Sequence, residues 1–354
     1  MRPLPRILIM AAVAVLPLVS LASGQQGSGS YVIFQLDNDI FTGSDNDYTN
    51  GARLAYLRPV SPGSLTRMQG VLKKMSGVDR GPLFGWLASM AESESTRYAY
   101  GIGLTQLMFT PDDPQATSSA TGKRPYAGWL GAEVSLHVKD ENALSSVVIS
   151  IGVTGKYAKA QPTQNWVHRN ISDSPIFQGW DSQVPAEVTV NLLFDRKRRL
   201  GWLARMTGED SFQLDGYFEW GAYLGNGLTN AYVGTLVRAG LHLPVQYMTP
   251  RLQMGNYPHE LFSSGSNGGS KWSLYGFAGV RGSAVLHNIT LDGPLFKDFD
   301  TGTSSESLVG EFVLGAGFRY HGLTLAYSRT FRSREFSGQE YNHQFGSVLV
   351  SLGF

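Results

Sequence analysis

The chain has 354 residues with 29 basic and 28 acidic side chains, a formal net charge of +1, 42 glycines and no cysteine. A near-neutral balance argues against a nucleic-acid partner, because neutralising a phosphate backbone requires an evident excess of Lys and Arg, and a chain without Cys has neither a disulfide framework nor thiolate chemistry. Charged residues at only 16% argue against the charged helices that coat soluble α proteins, and a mean hydropathy of -0.13 excludes a helical membrane bundle.

Met1 to Arg6 holds two arginines, Ile7 to Val19 is almost wholly apolar, and Ser20-Leu21-Ala22 offers small residues for a signal peptidase. Residues 1–22 therefore read as an export signal and 23–354 as one domain. A membrane anchor fits less well, because the apolar run falls short of the roughly 20 residues a span needs and contains Pro17.

Strands are expected near 30–40, 49–58, 97–109, 126–138, 144–154, 186–196, 212–224, 230–243, 272–287, 307–320, 322–331 and 343–354. That is an even count of about twelve, as expected for an all-β, antiparallel outer-membrane barrel. The period of two is clearest where Leu214, Gly216, Phe218, Trp220, Ala222 and Leu224 oppose Asp215, Tyr217, Glu219, Gly221 and Tyr223. It recurs where Leu308, Gly310, Phe312 and Leu314 oppose Glu311, and again in the last strand, which ends the chain on Phe354. Lipid outside and a polar lumen inside explain such a pattern. A soluble β-sandwich also alternates, but it does not account for an export signal and a terminal aromatic together.

With both termini in the periplasm, segments 41–48, 110–125, 155–185, 225–229, 288–306 and 332–342 face outward, and 59–96, 139–143, 197–211, 244–271 and the turn at 321 face the periplasm. Leu65 to Ala91 has helical spacing in parts and reads as a periplasmic helix or plug. A short helix is expected in the outward segment from Gly155 to Trp166, limited by Pro162. The basic run Arg196 to Arg199 reads as a solvated turn.

Chemistry gathers at the outward strand ends. Asp37-Asn38-Asp39 closes the first strand, and Asp45-Asn46-Asp47-Tyr48-Thr49-Asn50-Gly51 leads into the second. Such hard oxygen donors suit Ca²⁺, which takes roughly six to eight in flexible geometry; a polar β-turn rich in Asp and Asn is the alternative. In the third outward loop Gln164 and His168 are four apart and share a face if helical, and histidine is the default general base near neutral pH. Lys123 and Arg124, beside Tyr126 and Trp129, read either as a grip on lipid phosphates or as anchors in an aromatic girdle.

Asn38-Asp39, Asp47-Tyr48-Thr49-Asn50-Gly51, Arg124-Pro125-Tyr126-Ala127-Gly128-Trp129, Gln164-x-x-x-His168, Gly179-Trp180-Asp181-Ser182-Gln183 and Gln344-Phe345-Gly346 stand in the order that resembles LpxR-type lipid A 3'-O-deacylases. The resemblance implies an integral outer-membrane barrel, with its active site toward the outer surface, that removes the 3'-linked acyloxyacyl chain of lipid A in lipopolysaccharide. It implies catalytic roles for His168, Gln164 and Asn38, with His168 activating water, and a bound Ca²⁺ with Asp39, Thr49 and Asp173 as candidate ligands. Asp173 is offset by one residue from the glutamate found in some members. Lys123 and Arg124 are the candidates for substrate binding, and the protein is expected to be a monomer among outer-membrane lipids. Two other readings stay open: a barrel phospholipase or esterase of similar mechanism, and a non-enzymatic pore or structural barrel. The chain has neither a G-x-S-x-G elbow nor the His-x-Ser-Asn-Gly run of outer-membrane phospholipase A.

Overall fold

The computed structural model describes residues 29–39, 50–60, 96–140, 142–172, 174–206, 212–244, 247, 252, 254 and 270–354. The expected export signal, Thr49, Asp173 and the 65–91 stretch lie outside the described residues. Twelve antiparallel strands close into a barrel: β1 (Tyr31–Asn38), β2 (Asn50–Val60), β3 (Arg97–Phe109), β4 (Ala127–Lys139), β5 (Ala143–Thr154), β6 (Val188–Arg199), β7 (Phe212–Gly225), β8 (Leu228–Leu241), β9 (Trp272–Asn288), β10 (Leu308–Tyr320), β11 (Leu323–Arg332) and β12 (His343–Gly353). Each pairs with its chain neighbours, and β1 meets β12 to remove both edges. Ser30 and Phe354 exchange backbone hydrogen bonds of 3.1 and 3.0 Å, so the ladder runs to the final residue and both chain ends lie at one rim.

Alternation follows the expected faces. Along β7, Asp215, Tyr217, Glu219 and Tyr223 are buried in the lumen while Phe218, Trp220 and Leu224 are exposed on the outer wall. The outer face is apolar around the barrel, with Ile102, Val134, Ile151, Val233, Val280 and Leu314 among its exposed side chains. That surface is stable only in hydrocarbon.

The lumen holds paired charges. Arg53 Nη2 lies 2.8 Å from both carboxylate oxygens of Glu133, Arg281 is 2.7 Å from Glu219, and Arg332 is 2.7 Å from Glu311. Arg238 pairs with Asp215. Lys197 sits 2.6 Å from Asp195 and 3.6 Å from Glu219, and the Tyr232 hydroxyl donates to Asp195 at 2.7 Å. This corrects the expectation for Arg196 to Arg199: the run belongs to β6, and Lys197 is fully buried because strand alternation aims it into the lumen. Buried charges of this kind persist only when each finds a counter-ion.

A second correction concerns 244–271, expected below the barrel. Pro244 accepts from Arg238 at 2.9 Å, Tyr247 packs on Tyr217 at 5.8 Å, the backbone N–H of Leu252 donates to Asp37 Oδ2 at 2.9 Å, and Met254 sulfur lies by Gly227. Asp37 and Gly227 are at the rim opposite the chain ends. Tyr247, Leu252 and Met254 of the β8–β9 connection therefore lie inside the barrel, where a plug was expected from 65–91. The cavity left beneath that rim, lined by Phe109, Arg124, Asn230, Leu252, Glu311 and Arg332 among others, is about 80 Å³. Ligand pockets for drug-sized molecules run roughly 300–1,000 Å³, so this void is too small for a lipid headgroup.

Truncating Arg53 to alanine leaves Glu133 buried without its bidentate partner. This is expected to cost about 3–5 kcal/mol and to lower the temperature at which the folded band converts on unboiled gels; adding Glu133→Ala should recover part of the loss.

Candidate active site

Thr105, Leu107 and Phe109 of β3 face the lumen, so Gln106 and Met108 project from the outer face. On β4 the same rule sends Trp129 inward, where its indole N–H donates to Thr189 at 2.8 Å and its ring fills the space left by Gly131 and Gly152. Gly128 therefore faces outward. The segment after β5 folds back over this patch of outer wall. A 3-10 turn (Gly155–Ala158) leads through Lys159, at φ 57°, into α1 (Ala160–Val167) and a π-helical turn (His168–Ser172). The expected short helix is thus present, with Pro162 in its first turn, where a missing N–H costs nothing.

Three contacts hold the segment in place. Gln106 Nε2 donates to the Ala158 carbonyl at 2.7 Å. A Cβ on Gly128 would lie 2.6 Å from the Ala160 Cβ, so α1 rests where only glycine admits it. Met108, Tyr126, Ala160, Phe177 and Trp180 then form a small apolar core between wall and loop.

Gln164 and His168 share the buried face of this segment, 1% and 3% exposed. The Trp180 indole N–H donates to Gln164 Oε1 at 2.8 Å, which orients the amide. Its Nε2 is buried with no acceptor among the described residues. His168 Nδ1 lies 2.6 Å from the Pro175 carbonyl oxygen, and its ring meets Phe177 edge to face at 5.9 Å. A carbonyl only accepts, so Nδ1 carries the proton and Nε2 carries the lone pair. That is the tautomer of a general base. The π-turn that begins at His168 is a feature common at functional sites.

Asn38 sits on the same outer row. The register runs Asn38, Asn50, Met108, Gly128 across β1 to β4, which at a strand spacing near 4.8 Å puts Asn38 roughly 10 Å from Met108. Strict alternation would throw Asp39 to the other face. Instead the chain leaves β geometry after Asn38, and Asp39 is buried in a helical turn at 0% exposure. The Oδ1 of Asn50, paired with Asn38 in the ladder, is buried without a donor among the described residues. A buried carboxylate and an orphaned amide oxygen at the ends of these two paired strands are hard donors of the kind that fit Ca²⁺. No cluster of three or more His, Cys, Asp or Glu occurs among the described residues.

The second-loop cations are placed differently from expectation. Arg124 is fully buried, 3.3 Å from Glu335 and 3.2 Å from Thr290 Oγ1, with its guanidinium 4.3 Å over the Phe109 ring. Burial would raise the Glu335 carboxyl, but Arg332 and then Arg124 hold it below the usual carboxylate range. Arg124 is thus an internal clasp between loops. Lys123 is partly exposed, yet it is bound to Glu340 at 2.9 Å and Asp112 at 3.5 Å. Tyr126 and Trp129 are buried rather than set in a girdle. Two other histidines lie near this rim: His287 contacts the Asn226 carbonyl at 3.0 Å, and His343 lies by Glu335 and Phe345.

Sequence reasoning did not find the Pro175 carbonyl or the indole of Trp180 as the groups that orient His168 and Gln164, although Gly179-Trp180 was part of the motif string. A backbone carbonyl carries no residue signature.

Fold and family together define an integral β-barrel of the bacterial outer membrane, here with a buried histidine–glutamine pair between its outer wall and a returning loop. The chain belongs to the family described as outer membrane protein LpxR, whose model matches residues 7–354. LpxR from Salmonella typhimurium superposes with a TM-score of 0.64 at 18% identity, over 92% of this chain and 100% of that one, and shares the fold. The β domain of the Bordetella autotransporter BrkA gives 0.43 at 9% identity, over 92% of this chain and 98% of that one, too slight a likeness to carry meaning. No curated protein matches the chain.

If Gly128 is what admits α1, Gly128→Val should lift the 155–182 segment from the wall. Limited proteolysis within that segment is expected to accelerate severalfold while the mobility of the unboiled barrel stays unchanged.

Proposed function

We propose that the protein is a lipid A deacylase: it hydrolyses the ester that joins the 3'-linked acyloxyacyl chain to the sugar, with the loop rim at the outer surface. The observation that carries this reading is the hydrogen bond of 2.6 Å from His168 Nδ1 to Pro175, which leaves Nε2 basic on the bilayer side of the wall. A lipid reaches that position by lateral diffusion, without entering the lumen. The charge pairs and the β8–β9 residues inside the lumen favour an enzyme over a pore.

In the proposed reaction His168 Nε2 takes a proton from water as its oxygen attacks the ester carbonyl. The Nε2 donor of Gln164 and the amide of Asn38 are the groups offered to water and to the developing oxyanion. Collapse breaks the bond between acyl carbon and sugar oxygen, the imidazolium returns its proton to that oxygen, and the fatty acid departs. Asp39 and Asn50 would hold Ca²⁺, with Thr49 and Asp173 as further proposed ligands. When bound, the ion would polarise the ester carbonyl and stabilise negative charge on it. Strands β1 to β4 and the 155–182 segment all come from one chain, which supports a monomer as the working unit.

His168→Gln preserves size but cannot accept the proton. Turnover of lipid A in vesicles, read by mass spectrometry of the product, should fall about a hundredfold or more with the barrel still heat-modifiable; parental turnover would rule out this base. Chelation should abolish hydrolysis, Ca²⁺ should restore it and Mg²⁺ should do so poorly, because Mg²⁺ demands a tighter octahedral site. Asp39→Ala is expected to raise the Ca²⁺ requirement or remove activity. Full activity in excess chelator would refute the metal's role.

A further inference from the structure

The cations of the lumen and of the second loop meet carboxylates, whereas those between 155 and 172 meet none among the described residues. From 155 to 172 the sequence holds Lys156, Lys159 and Arg169 and no Asp or Glu. All three cations are exposed, and none forms an ion pair among the described residues; Lys156 lies 5.4 Å over the ring of its neighbour Tyr157. Tyr157 and Trp166 are exposed on the same segment, at 56% and 53%. Lys159 also occupies a left-handed conformation that the backbone would give more readily to glycine.

This face stands on the outer wall beside the apolar belt, at the rim level. Amphipathic aromatics favour the boundary between hydrocarbon and headgroups, and Lys and Arg there meet phosphate. Lys156 and Lys159 lie at the start of the helical segment and Arg169 ten residues beyond Lys159. At 1.5 Å per residue the two ends are roughly 15 Å apart, too far for one phosphate and suited to two.

We propose that Lys156, Lys159 and Arg169, flanked by Tyr157 and Trp166, form a headgroup-binding face for a glycolipid phosphorylated at two separated positions, on the exposed side of the segment whose buried side carries Gln164 and His168. The choice of lipid rests on the deacylase reading; the binding of paired phosphates does not. Lys123 and Arg124, by contrast, already meet Glu340, Asp112 and Glu335.

The test is retention of lipid A by full-length, immobilised protein in a non-ionic detergent, with Ca²⁺ present. The parent should retain bisphosphorylated lipid A at least tenfold better than lipid A stripped of both phosphates, and better than phosphatidylglycerol. The K156A/K159G/R169A variant should lose that preference, with glycine at 159 chosen because its backbone accepts the left-handed turn. A K156R/K159R/R169K variant should keep it. Equal retention of bisphosphorylated and stripped lipid A by the parent, or unchanged retention by the neutralised variant shown to be heat-modifiable, would overturn the proposal. Retention of phosphatidylglycerol equal to that of bisphosphorylated lipid A would overturn the two-phosphate assignment. Binding without hydrolysis would defeat the deacylase reading and leave this face standing.

Discussion

The structure depends on one constraint: hydrocarbon offers no hydrogen-bond partner, so every backbone N–H and C=O in the wall must be paired within the protein. Closure of β1 on β12, continued to Ser30 and Phe354, meets that demand without an edge. Closure then fixes which side chains face inward. The charges sent inward cannot be hydrated as freely as at a surface, and they appear as Arg53 with Glu133, Arg281 with Glu219, Arg238 with Asp215 and Arg332 with Glu311. The β8–β9 connection makes the lumen more crowded still, through the Leu252 N–H on Asp37. A lumen filled in this way has little room for a substrate.

The same alternation explains where the candidate site groups go. Inward positions at the loop rim are occupied by Thr105, Leu107, Phe109 and Trp129, so a site built on β1 to β4 has the outer face available. Polar groups on a face bordering lipid need cover, and the returning segment supplies it. Gln106 and Gly128 seat that segment, and its own carbonyl and indole groups satisfy His168 and Gln164. A histidine held by a carbonyl keeps its proton on the nitrogen that faces the carbonyl. The far nitrogen thereby holds the lone pair without any carboxylate partner.

Charge is partitioned as well. Arg124 and Glu335 tie the second loop to the loop between β11 and β12, with Arg332 on the same carboxylate. Lys123 is spent on Glu340 and Asp112. The cations left without acid partners among the described residues of 155–172 are those standing beside the proposed site. In a protein proposed to act on anionic lipid, that division separates charges that hold the loops from charges open to a ligand.

Much of the fold was legible in the sequence because a strand's period of two is local. Asp215 to Leu224 displays its two faces without reference to any partner, and each of the twelve strands stands within a few residues of its expected position. Gln164 and His168 were legible for the same reason, since a spacing of four on a helix is also local. What the sequence could not settle was decided by contacts between residues far apart in the chain. Arg124 looks like a free cation until Glu335, 211 residues away, neutralises it. Lys197 looks like part of a solvated turn until β6 extends through it and sets it beside Asp195 on the same strand and Glu219, its register partner on β7. The contact of the β8–β9 connection with Asp37, and the choice of the outer wall for the site, likewise follow from closure of the barrel, which no local pattern records.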